Sequence, residues 1–322
     1  MRKTIAAVTL LLFAAVPSFA AEIRGSWNGS LRNSEPGMIH LELKHQSSHH
    51  GNSMPIGSFT GLSAAQVNAA TATPATFSLR REAGTVAFDG AFKQGHGGGE
   101  FVFTPSEAYF DAVRNLGVPV GKLETRDRDR TLFSLAMIDV STDYIRSMIS
   151  SGYRVGLDDY LQMRIFDVTP QIVQEYRSIG YDKLSSDKLV ELRIHKVTPA
   201  YIREMRATGW GNLGLNDLVA SRIHKVTPQF AGEMKTLGYS LDFGDLTAFR
   251  IHGVTTDFVK EVRALGYAKV DADDLVAMRI HKVTPEFIRE IRAAGYENVP
   301  IDKLVSMRIH GVDATYLKKM KR

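Results

Sequence analysis

One short phrase recurs along most of this chain at a nearly constant interval. Its two clearest copies, at residues 193–199 and 279–285, both read Arg-Ile-His-Lys-Val-Thr-Pro. The valine of the phrase marks every copy, and these anchor valines follow one another after 28 or 29 residues: Val140, Val168, Val197, Val226, Val254, Val283 and Val312. A fixed period of this length is typical of repeat proteins, in which each unit buries its apolar face against its neighbours. Architectures of this kind mostly bind or scaffold other molecules.

Each copy carries the signals of a helical hairpin. Thr198 is a suitable N-cap, and Pro199 fits the first helical position, where a missing N–H has little consequence. The first helix ends at a glycine that we expect to be left-handed, followed by an aromatic residue, as in Gly238-Tyr239. A second, shorter helix begins near Asp187, and its apolar residues in that copy include Leu189, Val190 and Ile194. Isolated helices need roughly 12–15 residues to be stable in water, so we expect stacking to stabilise these.

Residues 21–103 follow a different pattern, in which apolar and polar residues alternate with the two-residue period of half-buried strands. Turn residues separate six predicted strands, at 23–31, 38–45, 55–62, 75–81, 84–93 and 98–104. Glycine favours hairpins at residues 81–84 and 94–99, because it accepts a positive φ. Candidate core aromatics are Trp27, Phe77, Phe88, Phe92, Phe101 and Phe103. The pattern predicts an antiparallel β-meander that forms a small barrel or sandwich.

Together the two patterns predict an α+β chain, with an antiparallel β-domain at 21–103 and an α-solenoid of short helical hairpins at 104–322. Thr104-Pro105 echoes the repeat phrase, so we expect the last strand to run directly into a degenerate first repeat. Residues 1–20 read as a secretory signal peptide, with a basic start, a short apolar run and small residues at Ser18 and Ala20. The alternative is an uncleaved membrane anchor, although the apolar run is shorter than the ~20 residues of a spanning helix.

The composition favours an exported protein without covalent cross-links. The chain has no cysteine, which excludes disulfides, thiol nucleophiles and thiolate metal sites. A cysteine-free chain with a short signal fits a periplasmic or secreted location. The net charge of +5 arises from 40 basic and 35 acidic residues, whereas nucleic-acid binding would require a segregated basic stripe. We therefore expect no nucleic-acid partner and no integral membrane segment after the signal is cleaved.

Arginine and histidine recur at fixed positions of the phrase and are the candidate binding residues. The arginine stands four residues before the anchor valine and the histidine two residues before it. The pairs are Arg193 and His195, Arg222 and His224, Arg250 and His252, Arg279 and His281, Arg308 and His310. Stacked repeats would align them as two ladders with a spacing of ~10 Å. Neighbouring histidines at that spacing cannot share a zinc ion, whose bonds to nitrogen are only ~2.0–2.1 Å long.

Both ladders have a structural alternative. A histidine in the last turn of a helix can hydrogen-bond the free carbonyls there, and Phe166 or Ile138 replaces it in earlier copies, as at a packing position. The arginines can pair with recurring glutamates of the first helix, namely Glu175, Glu204, Glu233, Glu261 and Glu290. The opposing interpretation is that either ladder faces a ligand, which for the arginines would be an anion.

Other features give little support to a metal site or an enzyme. The spacing of His40, His45, His49 and His50 permits a transition metal, but the alternative is a polar loop, since no acidic or cysteine ligand accompanies them. The glycine-rich residues 95–99 join strands, whereas a phosphate-binding loop opens a helix. The short motifs of zinc peptidases, serine hydrolases and P-loop NTPases are absent from the sequence. We therefore predict no enzymatic activity and no cofactor.

The repeat phrase and its glycine–tyrosine stops resemble repeats of exported and membrane-anchored bacterial proteins, among them the extracellular tails of membrane metallopeptidases related to beta-lactam sensors. Residues 77–85 and 101–105 resemble the β-segment that precedes the repeats in such proteins. The resemblance implies a helical-repeat module. It transfers no catalytic residue, because the membrane helices and the His-Glu-x-x-His motif of the peptidase part are absent from this sequence.

We therefore expect an exported, non-catalytic binding or scaffolding protein, whose repeat surface contacts a protein or a component of the cell envelope. The alternative is a sensor or accessory subunit, in which the β-domain binds a small ligand or a cell-wall fragment while the repeats dock or relay.

Overall fold

The computed structural model describes residues 22–31, 37–46, 48–121, 124–207, 209 and 213–320. The predicted signal peptide at 1–20 lies outside these residues. The chain divides into two compact units, Met1–Pro170 and Gln171–Arg322. The first contains a six-stranded antiparallel sheet and several helices, and the second contains short helices. This arrangement confirms the predicted α+β class, with β-structure at the N-terminal end and a helical region after it.

The six strands of the first unit form one antiparallel sheet. They are β1 (Ile23–Leu31), β2 (Met38–His45), β3 (Ser48–Pro55), β4 (Thr73–Arg81), β5 (Gly84–Lys93) and β6 (His96–Pro105). Their order across the sheet is β3-β2-β1-β6-β5-β4, so two three-stranded meanders lie side by side. Two-residue turns close the predicted hairpins, where Arg81 pairs with Gly84 and Lys93 with His96. β1 and β6, the first and last strands along the chain, pair with each other at the centre of the sheet. The chain therefore enters the sheet beside the strand from which it continues into the helices.

The third strand lies earlier in the chain than predicted. We expected a loop at 45–51 and a strand at 55–62, but the strand is Ser48–Pro55 and a single 3-10 turn follows at Ile56–Ser58. A two-residue turn joins β2 to β3, and its Gln46 has the positive φ of 52° that such turns use. β3 is an edge strand with a mostly polar sequence, so it lacks the alternation that marks a strand with one buried face.

An aromatic cluster packs on the sheet. The Trp27 side chain is 1% exposed and meets the ring of Phe77 edge-on at 5.3 Å between ring centres. Phe77 in turn stacks on Phe88 at 4.6 Å. Gly97 leaves room for these rings, because a Cβ there would lie 2.3 Å from the ring of Phe92. All six aromatic residues predicted for the core are buried.

The sheet continues directly into helices α2 (Ala108–Asn115), α3 (Thr125–Ile138), α4 (Thr142–Ser150) and α5 (Leu157–Ile165), while the short α1 (Ala64–Val67) lies between β3 and β4. Helix α3 packs on β3, β5 and β6. Glu82, in the β4–β5 turn, accepts a 2.9 Å hydrogen bond from the backbone N–H of Thr142. Tyr109 of α2 donates a 2.5 Å hydrogen bond to the carbonyl of Val140, as tyrosines of full repeats do. Helix α2 is thus the first helix of a degenerate repeat.

The repeats that follow alternate two kinds of helix. The first helices are α6 (Pro170–Arg177), α8 (Pro199–Ala207), α10 (Pro228–Thr236), α12 (Thr256–Ala264), α14 (Pro285–Ala293) and α16 (Ala314–Met320). The second helices are α7 (Ser186–Ile194), α9 (Leu215–Ile223), α11 (Phe243–His252), α13 (Ala272–Ile280) and α15 (Ile301–Ile309). From α9 onwards, second helices contact second helices and first helices contact first helices, in chain order. The repeats therefore stack as two layers over a shared core that includes residues from Val226 to Leu317.

Two left-handed residues shape each repeat. One ends the first helix and is a glycine, as at Gly238, where φ is 84°. The other stands immediately before the anchor valine, where Lys196, Lys225 and Lys282 have φ between 54° and 58° and Gly253 has φ 72°. The N–H of the anchor valine then bonds back to the carbonyl five residues earlier, which is the Schellman arrangement. These two turns allow both helices of a repeat to remain short.

Buried tyrosines connect neighbouring repeats of the second unit through their hydroxyl groups. Tyr176 donates a 2.6 Å hydrogen bond to the carbonyl of Val197, and Tyr201 donates one of 3.1 Å to the carbonyl of Val226. Burial raises the pKa of Tyr176 to about 12, although the charge of Arg193 acts in the opposite direction. The neutral hydroxyl is therefore part of the folded state.

Replacing Gly238 with valine should destabilise the second unit by about 2 kcal/mol, because a β-branched residue resists the left-handed region. No atom lies within 4 Å of where a Cβ would stand, so the cost comes from the backbone conformation. Asparagine is the matched control, since it tolerates this region and should lose much less. Urea unfolding followed by circular dichroism compares the two. A valine variant as stable as the wild type would contradict this role of the glycine.

The hydroxyl of Tyr176 should make the second unit sensitive to alkali. The folded-state pKa of about 12 exceeds the ordinary value of 10.0, so the unfolded chain releases this proton first as the pH rises. The free energy of unfolding should be unaffected below pH 10 and should then fall by up to ~1.4 kcal/mol per pH unit until about pH 12. Tyr176→Phe should make this decrease smaller but should not abolish it, because burial also raises the pKa of Tyr201 in the same unit. Urea unfolding at neutral and alkaline pH compares the two chains, and parallel profiles would refute the assignment.

Candidate binding surface

The arginines of the repeat phrase, which lie in the second helices, turn back onto the first helix of their own repeat. In four copies of the second unit the guanidinium carbon lies 4.4 to 5.1 Å from the centre of an aromatic ring in the preceding first helix. The pairs are Arg222 over Tyr201, Arg250 over Phe230, Arg279 over Phe258 and Arg308 over Phe287. Within the first unit, Arg164 lies over Tyr144 in the same way, at 5.2 Å. Each such cation–π contact contributes ~0.5–1 kcal/mol at an exposed site.

Two of these arginines of the second unit also satisfy the end of the second helix of the preceding repeat. Nε of Arg222 donates to the carbonyls of His195 and Lys196, at 3.3 and 3.0 Å, and Nε of Arg279 donates to the carbonyl of His252 at 3.3 Å. These carbonyls have no partner inside their own helix, because the last four of any α-helix are left free. A positive charge at this end also complements the helix dipole. The arginine therefore acts as a C-terminal cap that the following repeat supplies.

A second set of arginines does the same for the first helices. Arg263 donates a 2.7 Å hydrogen bond to the carbonyl of Leu237, and its guanidinium lies over the ring of Tyr239 at 5.1 Å. Arg206 and Arg292 bond in the same manner to the carbonyls of Ile179 and Leu265. Both layers of helices are thus connected by guanidinium groups at their C-terminal ends.

The glutamates predicted as arginine partners have other contacts. Glu175 accepts a 3.2 Å hydrogen bond from Gln171, and Glu233 accepts one of 2.8 Å from Gln229, in both cases from one turn earlier in the same helix. Arg222, Arg250, Arg279 and Arg308 instead face rings of their own first helices, and Arg222 and Arg279 also bond carbonyls of the preceding repeat. Their positions support the structural interpretation of the arginine ladder more than an anion-binding one.

The five histidines of the phrase lie at the ends of the second helices. His195, His224, His281 and His310 are C-cap residues, and His252 is the last residue of α11. We expected their side chains to bond the free carbonyls of the helix end. Arginines of the following repeats bond carbonyls at two of these ends instead, at His195 and His252. The rings of His252 and His310 are exposed, and the other three are half-buried.

Between each arginine and histidine stands an isoleucine that is about half exposed. In the second unit the exposed fractions are 48% for Ile194, 53% for Ile223, 55% for Ile251, 50% for Ile280 and 56% for Ile309. These residues occupy one position on successive second helices, so their side chains form a row, which we name the isoleucine ladder. Exposed apolar residues of a soluble protein are usually scattered singly. A row of five is therefore a candidate contact surface.

Isoleucine occupies this position in six of the seven copies of the phrase, with Met137 in the first, although it is not a core position in the second unit. The position two residues earlier is buried in most copies, yet it varies as Leu192, Ser221, Phe249, Met278 and Met307. Packing alone would keep the buried position constant and let the exposed one vary. Cores are sensitive to changes in side-chain volume, whereas substitutions at the surface mostly change stability by less than ~0.5 kcal/mol. The sequence pattern grouped Ile194 with the buried Leu189 and Val190. The constancy of isoleucine was the signal that could have separated them.

The isoleucine ladder has a basic margin in the second unit. Every isoleucine there follows an arginine and precedes a histidine, and in three of the five copies Lys196, Lys225 or Lys282 comes next. None of these four positions carries an acidic residue in any of the five copies. In the first unit the equivalent of histidine is Phe166 and the equivalent of lysine is Asp167. The basic margin is thus a property of the second unit.

The histidines near the β2–β3 turn have separate partners. His40 bonds a serine of β3 at 3.1 Å, and Nδ1 of His45 lies 2.5 Å from the carbonyl oxygen of Arg24. His50 lies edge-on against Phe133 at 5.0 Å, where burial lowers its pKa. Among the residues that the structure describes, no three potential metal ligands are arranged to bind one ion. Nor is any described helix long and apolar enough to cross a membrane.

Comparisons with family models, with curated proteins and with solved structures found no match to this chain. The resemblance of the repeat phrase to the tails of membrane metallopeptidases therefore stays a prediction. A function has to be inferred from the surface of the molecule.

Replacing Arg222 with alanine should destabilise the second unit by about 1–3 kcal/mol, because two carbonyls and one ring lose their cationic partner. Arg222→Lys is the matched control. Lysine keeps the charge but lacks the guanidinium Nε–H that reaches both carbonyls, so it should recover only part of the loss. Urea unfolding measures all three chains. If both variants were as stable as the wild type, the capping role would be wrong and this arginine would again be a ligand-facing candidate.

Proposed function

We propose that this chain is an exported, non-catalytic binding or scaffolding protein that contacts a protein or envelope component through its isoleucine ladder. The observation that carries this proposal is the recurrence of one half-exposed isoleucine in five successive repeats. Burying the exposed half of an isoleucine stabilises a complex by roughly 1 kcal/mol. Five equivalent positions would together supply several kcal/mol to a partner that reaches all of them.

A row of equivalent groups suits binding better than catalysis. Catalysis requires different groups that converge on one reacting atom, such as a nucleophile beside a base. The isoleucine ladder repeats the same group along a surface, as stacked repeats do when they bind extended partners. The proposed location outside the cytoplasm rests on the signal-like sequence at residues 1–20.

The alternative places ligand binding in the β-domain. It has less support, because Trp27 and the surrounding phenylalanines pack closely with one another on the sheet. Helix α3 also covers three of the strands, with Phe133 parallel to Phe101 at 5.7 Å.

Crosslinked capture of partners from the native cells tests the proposal. A triple variant with serine at the ladder positions Ile223, Ile251 and Ile280 should lose a partner that the wild type captures. The matched control carries serine at three exposed positions of the first helices, Arg203, Lys260 and Arg289, and should retain it. Circular dichroism must first show that both variants are folded. A partner retained by the ladder variant and lost by the control would contradict the proposal.

A further inference from the structure

We propose that the isoleucine ladder binds an acidic, amphipathic polypeptide segment of a partner protein. Apolar side chains of that segment would contact successive isoleucines, and its carboxylates would face the basic margin. This inference rests on the proposed function and adds the chemistry of the partner. It draws on the charge of the margin, on the backbone at its lysines and on the spacing of the repeats.

The lysines of the margin are kept at positions where the backbone disfavours them. Lys196, Lys225 and Lys282 are exposed and left-handed, a conformation that residues with a side chain rarely adopt. Gly253 and Gly311 fill the same position in neighbouring repeats, so the fold accepts glycine there. An unfavourable conformation that persists in several repeats points to a function of the side chain. The feature that lysine adds is a positive charge at the surface.

In two repeats of the second unit an acidic residue stands three positions after the anchor valine, and it is paired within its own first helix. Asp257 lies 3.8 Å from Lys260, and Glu286 lies 3.1 Å from Arg289, each one turn further along the first helix. These pairs leave the charge of the margin positive. A complementary partner therefore carries negative charge beside its apolar groups.

The spacing of the isoleucine ladder fits a polypeptide. Stacked helices lie 8–10 Å apart. Seven residues of an α-helix advance about 10.5 Å, and three residues of a polyproline II helix, which make one full turn, advance about 9 Å, so either conformation can repeat an apolar side chain on one face at this interval. Binding to a lipid surface depends on an apolar face that inserts among the lipids, whereas these isoleucines are themselves half buried. A second copy of the chain would bring one basic margin against another.

Synthetic peptides test the inference on the full-length mature chain. One fluorescent peptide is helix-forming and glutamate-rich, with leucine at every seventh residue, and another is glutamate-rich and favours a polyproline II helix, with leucine at every third residue. We expect at least one of them to bind, as measured by fluorescence anisotropy. Versions with lysine in place of glutamate should bind at least tenfold more weakly, and versions with serine in place of leucine should not bind.

Two variants of the chain then separate charge from apolar contact. Changing Lys196, Lys225 and Lys282 to glycine should keep the fold, because glycine suits their left-handed backbone, and should weaken the acidic peptide about tenfold. The ladder variant with three serines should abolish binding. The charge-matched control replaces Lys235, Lys269 and Lys303 with glutamine, outside the phrase that forms the ladder, and should bind like the wild type.

The remaining outcomes each overturn the inference in a recognisable way. No binding of either acidic peptide, equal binding of glutamate and lysine peptides, or an unaffected lysine-to-glycine variant would exclude an acidic segment. Binding to anionic lipid vesicles without peptide binding would assign the ladder to a membrane surface. An isoleucine-dependent dimer in sedimentation would assign it to a second copy. The proposed function fails separately, if the ladder variant still captures the cellular partner.

Discussion

A helix of nine residues leaves four of its carbonyl groups without a partner, and most helices of the second unit have this length. The turn after the helix satisfies some of them, as when the N–H of Val197 bonds the carbonyl of Leu192, and the following repeat supplies donors for carbonyls that remain. In several repeats an arginine of the second helix, such as Arg222, reaches the end of the preceding second helix, or one of the first helix, such as Arg263, reaches the end of the preceding first helix. A repeat is therefore incomplete until its successor has folded, so stability depends on neighbours.

The phrase Arg-Ile-His assigns different directions to consecutive residues. Successive side chains of an α-helix are rotated by about 100°, since a turn contains 3.6 residues. Arg222 can therefore point back to the preceding repeat while Ile223 faces solvent and His224 ends the helix. The contact that stabilises the stack and the group that remains exposed thus share one period. This coupling explains why a surface row can be as regular as the core beneath it.

Short sequence signals correctly predicted those features of the fold that depend on interactions between residues close in sequence. Thr227 was identifiable as an N-cap and Gly238 as a helix stop, because each feature depends on a few adjacent residues. The bounds of β1, β2 and β5 followed from alternation and glycine-containing turns. The position of the edge strand β3 was not predicted, because a strand that pairs with only one neighbour needs little alternation of apolar and polar residues.

The arginine partners could not be predicted, because backbone carbonyls carry no residue identity in a sequence. Glutamates were the visible candidates, whereas the acceptors are groups such as the carbonyl of Lys196. The isoleucine ladder was hidden for a different reason. Second helices carry apolar residues on more than one face, so periodicity alone does not separate the buried Leu189 from the exposed Ile194.

A stack fixed in this way also prepares its own surface for binding. Because guanidinium groups hold neighbouring helix ends together, the exposed isoleucines keep their spacing before any partner binds. The conformational entropy lost on binding is therefore mainly that of the partner. The left-handed position beside each isoleucine is independent of these contacts, since lysine and glycine both occupy it, as at Lys225 and Gly253. Charge along the ladder can therefore change from repeat to repeat without loss of the caps that hold the stack. Because the residues that set the surface charge differ from those that cap the helices, the preference for a partner can change while the stability of the stack is preserved.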